Sequence, residues 1–298
     1  MYAIQMKDYG DVDVLVSVQV PLPKLKPKQV LLKQHAVAID PYDVGFRAGL
    51  KGREKVPPLV AGSSAAGEIV QVGEAVTEFK VGERVAASPH LRCYAEYVAI
   101  GQSQLAHIPQ NVTYQQAVAC ALGVQTAYQI VHDELKLTEK ERVLIHGGSG
   151  SVGFAAIQFA RQYHPKEIYT TASGKGAIFL RQFDKQLQVI DYRGEDFKNV
   201  VPPVDKIIDT IGGQNLKDSL AVLKPNGKLI STVSDDADTR VQLYFLKSKG
   251  KKLEAVLNQV STGSFYVKIA ESAPFTVTNL RKFHQTKHAV GKLVLTFD

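Results

Sequence analysis

The chain has little of what staples a protein together or anchors it. Its 298 residues include two cysteines and no tryptophan. Cys93 and Cys120 stand far apart with no metal-ligand spacing, and their number excludes a disulfide framework, so a reducing compartment is expected. No apolar run approaches the roughly 20 residues that cross a bilayer core, which argues against a transmembrane helix and a membrane partner. The opening Met1-Tyr-Ala-Ile-Gln5 leads into neither a basic n-region nor an apolar h-region, and the expected location is cytoplasmic. The net charge of +7 would permit nucleic-acid binding, but the lysines are scattered. The densest run, Lys247–Lys252, is short and contains a glycine, so nucleic acid is not an expected partner. The positive field suits a small anionic cofactor instead.

What the chain does have is concentrated in residues 143–153, Val-Leu-Ile-His-Gly-Gly-Ser-Gly-Ser-Val-Gly. A short apolar strand, Val143–Ile145, runs into glycines at 148, 150 and 153. An apolar helical face follows in Val152, Ala156, Phe159 and Tyr163. A G-x-G-x-x-G turn between strand and helix binds a dinucleotide pyrophosphate on the free N–H groups of the helix start. On this reading Gly148 makes the tight turn, Gly150 admits the phosphates with Ser151 and Val152, and Gly153 allows close helix packing. An NAD site carries an acid about twenty residues further on, for the ribose diol. Here that place holds Ser173, Gly174 and Lys175. A hydroxyl and an ammonium bind a 2′-phosphate that an acid would repel, so the expected cofactor is NADPH.

Around this motif the chain changes rhythm. Residues 1–120 read as β structure, with Val12, Val14, Val16, Val18 and Val20 alternating with other residues. Further strands are expected at 30–39, 69–72, 84–87 and 95–100, separated by Pro and Gly. From about Val118 strands and helices alternate, which implies a parallel, doubly wound α/β sheet. Residues 240–246 read as its last strand and 252–261 as a helix.

Several segments fall in an order that belongs together. They are Ala61-Gly-Ser-Ser-Ala-Ala-Gly-Glu-Ile-Val70, Tyr94-Ala-Glu-Tyr-Val98, Val189-Ile-Asp-Tyr192, Asp209-Thr-Ile-Gly-Gly213, Leu223-Lys-Pro-Asn-Gly227 and Gly291-Lys-Leu-Val-Leu295. Over almost its whole length the chain resembles the medium-chain dehydrogenase/reductases, and among them the zinc-free quinone oxidoreductase branch. The resemblance implies a GroES-like β catalytic domain over 1–120, completed by 264–298, and a Rossmann domain over 121–263. It implies NADPH-dependent hydride transfer to a quinone or an α,β-unsaturated carbonyl. It places Thr126 near the nicotinamide, Tyr192 with Ser173 and Lys175 at the 2′-phosphate, and Ile211, Gly212 and Val233 along the cofactor. It also implies a homodimer paired through the last Rossmann strand.

Zinc-dependent members carry a Cys ligand early in the catalytic domain and a His in a Gly-His-Glu segment. The corresponding places here are Asp40 or its neighbours and Gly62-Ser63-Ser64, so no metal is expected. The branch itself usually has Asn-Pro where this chain has Asp40-Pro41. Asn donates a hydrogen bond, whereas an ionised Asp only accepts. Asp40 would then be either protonated or bound to ribose hydroxyls. Tyr42 is the candidate hydroxyl donor to a developing oxyanion, the alternative being a ring that only shapes the wall. Two other functions stay open: an enoyl-thioester reductase, and a weakly catalytic NADPH-binding protein with a redox-sensing or moonlighting role. His146 reads as a satisfied strand-end histidine, and His284 with His288 as a solvated helix face.

Overall fold

The computed structural model describes residues 1–297. The chain divides into two compact units, 1–125 with 248–287 and 292–298, and 126–247 with 288–291. The first unit begins with β1 (Tyr2–Met6), β2 (Leu15–Gln19) and β3 (Gln29–Ala38), then α1 (Pro41–Arg47) and β4 (Leu59–Val60). It continues through β5 (Ala65–Val72), β6 (Arg84–Ala87), β7 (Tyr97–Gly101) and β8 (Ala106–His107). The valine alternation from Val12 predicts one strand, but the structure splits it. The Asp11 carboxylate accepts from Val12 N at 2.7 Å, and this cap turns Val12–Val14 into a 3-10 turn before β2.

A helical run follows: α2 (Tyr114–Ala119), a wide turn over Cys120–Val124, α3 (Gln125–Gln129) and a second wide turn over Ile130–Leu135. The second unit then alternates β9 (Arg142–Ile145), α4 (Ser151–Arg161), β10 (Glu167–Ala172), α5 (Gly174–Phe183), β11 (Gln188–Asp191) and α6 (Phe197–Val200). It ends with β12 (Val204–Asp209), α7 (Gln214–Val222), β13 (Leu223–Ser231) and β14 (Val241–Leu243). The sheet order is β11-β10-β9-β12-β13-β14, every neighbour parallel. This is the doubly wound order, which reverses between β9 and β12. Val143, Leu144 and Ile145 are all fully buried, as a strand covered on both faces requires. The expected last strand at 240–246 forms only over three residues.

The chain returns through α8 (Gly250–Ser261), β15 (Ile269–Pro274), α9 (Val277–Gln285) and β16 (Lys292–Thr296). The tail strand β16 lies between β15 and β3 in a sheet that runs on through β5, β6 and β8, with β7 also on β3. The sequence assigned residues up to 263 to the nucleotide domain. In the structure α8 groups with the first unit, and its Gly250 comes so close to the Leu105 carbonyl that any Cβ would collide.

Candidate functional site

The carboxyl ends of five parallel strands bring most of the expected cofactor residues to one edge of the second unit. After β9 the chain turns at Gly147, which has φ +69°. The positive φ falls there and not at Gly148, which is a central residue of the turn that Gly150 N closes by donating to the Gly147 carbonyl at 3.0 Å. Gly148 is needed for another reason: a Cβ on it would collide with the Thr170 hydroxyl. A Cβ on Gly153 would meet the Gly147 carbonyl and come within 2.9 Å of Gly148 Cα, so α4 packs directly on the loop. Gly150 is the N-cap of α4 and no side chain caps the helix. The N–H groups of its first turn, Ser151 to Gly153, are thus left for an anion.

The loop after β10 carries the second cluster. The Ser173 hydroxyl donates to Tyr192 Oη at 2.7 Å, joining the ends of β10 and β11. Lys175, in the first turn of α5, is exposed. The Arg193 guanidinium lies 4.0 Å from where a Cβ on Gly174 would stand, a group that the sequence did not single out. Its only signal was a basic residue beside Tyr192.

Asp209, at the end of β12, was likewise seen only as part of a motif. It is fully buried and accepts from Ile211 N at 3.1 Å, Gly212 N at 3.0 Å, Asn215 Nδ2 at 3.0 Å and Ser231 Oγ at 2.9 Å. Ser231 Oγ in turn accepts from Val233 N and Ser234 N. One carboxylate thereby shapes both loops that carry Ile211, Gly212 and Val233. Ile211 and Val233 nonetheless leave 57% and 39% of their surface exposed. His146 is fully buried, with Nδ1 3.0 Å from Thr171 Oγ1 and Nε2 2.9 Å from Ser219 Oγ. Burial lowers its pKa to about 4, so it is the satisfied, neutral histidine expected. Thr126 comes from helix α3, not from a strand end, and is buried.

Asp40 and Tyr42 belong to the first unit and point to different neighbours. Asp40 precedes α1 and is fully buried. Its Oδ2 accepts from Ser64 Oγ at 2.5 Å and its Oδ1 is in contact with the Lys292 ammonium, itself 4% exposed. Each oxygen of Asp40 is thus engaged by a neighbouring side chain, Oδ2 by a hydroxyl and Oδ1 by an ammonium. One turn on, Asp43 accepts from Ser63 Oγ at 2.6 Å and Ser63 N at 3.0 Å. Burial, with the Asp40 charge adding to it, pushes Asp43 up to about 7. Tyr42 is half-buried, its ring stacked 6.3 Å from Phe46 and edge-on to His90 at 5.7 Å. Burial, then the Asp43 charge, raises its pKa, so the phenol keeps its proton to donate.

His284 is not on a solvated face: it is 4% exposed, and its Nε2 lies 3.0 Å from Tyr94 Oη. Burial lowers it to about 3. His288 lies beyond the end of α9, which explains why the pair shares no helix face. Among the described residues no three His, Cys, Asp or Glu side chains gather as a metal site. The places matched to zinc ligands are bonded to one another and to an ammonium that would repel a divalent ion, so zinc does not fit them.

Residues 26–141 match the alcohol dehydrogenase GroES-like domain, and residues 187–295 match the family described as zinc-binding dehydrogenase. The chain is 30% identical to the quinone oxidoreductase of Homo sapiens, over 77% of this chain and 72% of that protein. It is 29% identical to the chloroplastic NADPH-dependent alkenal/one oxidoreductase of Arabidopsis thaliana, over 99% of this chain and 79% of that one. The structure of the quinone oxidoreductase from Coxiella burnetii superposes with a TM-score of 0.92 at 28% identity, covering 99% of both chains. With the glycine turn, the doubly wound sheet and the GroES-like match in place, the chain belongs to the medium-chain dehydrogenase/reductases, in the quinone oxidoreductase branch.

Proposed function

We propose that this protein is an NADPH-dependent, zinc-independent reductase of quinones or α,β-unsaturated carbonyl compounds that works as a cytoplasmic homodimer. The observation that carries the reading is the cluster after β10 and β11. Ser173 and Tyr192 are bonded to each other, with Lys175 and Arg193 close by in the chain. Two cations and two hydroxyls suit a phosphate ester, and the loop 173–175 has no acid to take a ribose diol. The names borne by the human and Arabidopsis relatives agree with it.

In this reading the first turn of α4, entered through Gly148 and Gly150 and packed on Gly153, binds the pyrophosphate with Ser151 and Val152. Ile211, Gly212 and Val233 flank the cofactor, the exposed apolar side chains supplying flat contacts, and Thr126 lies toward the nicotinamide. Bound NADPH supplies the hydride. Tyr42 donates its phenolic proton to the acceptor oxygen as charge develops there, and Asp40 holds the helix that carries it. A conjugated acceptor takes hydride without a strong Lewis acid, which is why no zinc is required. The homodimer rests on β14, a short edge strand followed by Phe245, which is 66% exposed.

The test is NADPH consumption with a panel of quinones, enones and enoyl thioesters. Turnover of quinones or enones is expected. Tight NADPH binding without turnover of any acceptor would replace the enzyme with a nucleotide-binding protein, and turnover of thioesters alone would replace the substrate class.

A further inference from the structure

The first unit contains a buried ion pair between Lys292 and Asp40. Lys292 opens the last strand of the chain, and Asp40 follows β3, the strand beside it. Ser64 comes immediately before β5, the neighbour of β3 on its other side. Asp40 touches both, so one carboxylate ties three adjacent strands together at one end of the sheet. That same residue supplies the carbonyl that accepts from Asp43 N at 2.9 Å and Val44 N at 3.2 Å, the first bonds of α1. Tyr42 sits in that turn.

We propose that Lys292 is a positioning residue for the reduction proposed above: its ammonium fixes Asp40, and through Asp40 the start of the helix that presents Tyr42. The claim rests on that functional reading for its kinetic consequence, but not for its structural one. A buried ammonium needs a counter-charge, and Asp40 supplies it. Asp43, the other acid nearby, is already held through both oxygens by Ser63. The two residues are therefore co-dependent: either change alone leaves a buried charge, and removing both does not.

The test is a double-mutant cycle on the full chain with Asp40→Asn, Lys292→Met and the two combined. Each single variant should lower the thermal midpoint by roughly 10 °C, and the combined variant should recover at least half of the loss. Amide exchange over residues 41–48 should speed up in the single variants, more than over the glycine turn at 147–153, and slow again in the combined one. Assayed well below every midpoint, kcat with the acceptor should fall about tenfold in the single variants and recover in the combined one. The Kd for NADPH, read from its own fluorescence, should stay within about twofold. Loss of one positioning contact carries factors of about this size. Losses that simply add in the combined variant would overturn the pairing. A recovered midpoint with exchange over 41–48 unchanged throughout would overturn the positioning role. A wild type that reduces no acceptor would overturn the functional reading alone, since midpoint and exchange still decide the pair.

Discussion

Two buried carboxylates, one in each unit, meet the same problem in opposite ways. Asp209 is surrounded by neutral donors: two backbone N–H groups from the loop that follows it, an amide from the first turn of α7 and a hydroxyl from the end of β13. Asp40 has one hydroxyl and one full positive charge, brought from the far end of the sequence. Dipoles spread over a local loop make a carboxylate an organiser of backbone. A single distant ammonium makes it a tie between strands. The first solution is written within about twenty residues, and the second exists only after the chain has closed on itself.

Removing the organiser should have the largest effect. Asp209→Ala would orphan the N–H groups of Ile211 and Gly212 together with the Asn215 amide, at a cost of about 3 kcal/mol. Calorimetry should show a fall in midpoint of roughly 6–12 °C. Because the loops at 210–213 and 232–234 lose their shape, NADPH and NADH should both weaken about a hundredfold in titrations. A variant with wild-type affinity would show that those loops hold without Asp209.

The cluster proposed to hold the 2′-phosphate sharpens the contrast, since it should respond to one cofactor only. Lys175→Ala and Arg193→Ala should each weaken NADPH by roughly ten- to a hundredfold, a charge-assisted contact contributing on the order of 1.5–3 kcal/mol. NADH should scarcely change. Equal losses for both cofactors would mean that these side chains only support their loops.

Smallest, and opposite in sign between the units, are the effects of pH on stability. His146 falls from 6.5 to about 4 on folding, so between those values the unfolded chain binds more protons and acid destabilises the fold. Asp43 rises from 3.8 to about 7, so its contribution is present at low pH and lost as pH rises through 7. Denaturant unfolding between pH 7 and 4.5 should therefore show a shallower acid loss in His146→Gln, by on the order of 2 kcal/mol. In Asp43→Asn the loss should be steeper. The same change of slope in both variants would reverse one of the two assignments.

Most of the strand-end loops of the second unit were legible in the sequence because their determinants are local. A glycine spacing, a strand before it and a helix after it all lie within one βαβ unit, and the hydrophobic rhythm announced the parallel sheet. What stayed hidden even there were roles fixed by neighbours. Gly147 bears the positive φ, and Arg193 comes near the Gly174 loop only when β11 lies beside β10. The valine alternation failed at Val12 because a single Asp11 cap outweighed it. His284 was misplaced because helical spacing shows which residues share a face but not what covers that face; here it is Tyr94.

By itself the sequence determined the α/β class, the two kinds of sheet and the glycine turn between strand and helix, since each depends on residues within one or two elements. Only the tertiary structure decided where α8 packs, which carboxylate shapes the loops at 210–213 and 232–234, and what Asp40 is paired with. Its partner Lys292 lies at the other end of the chain, and no local pattern encodes a charge that is balanced only when two distant strands become neighbours.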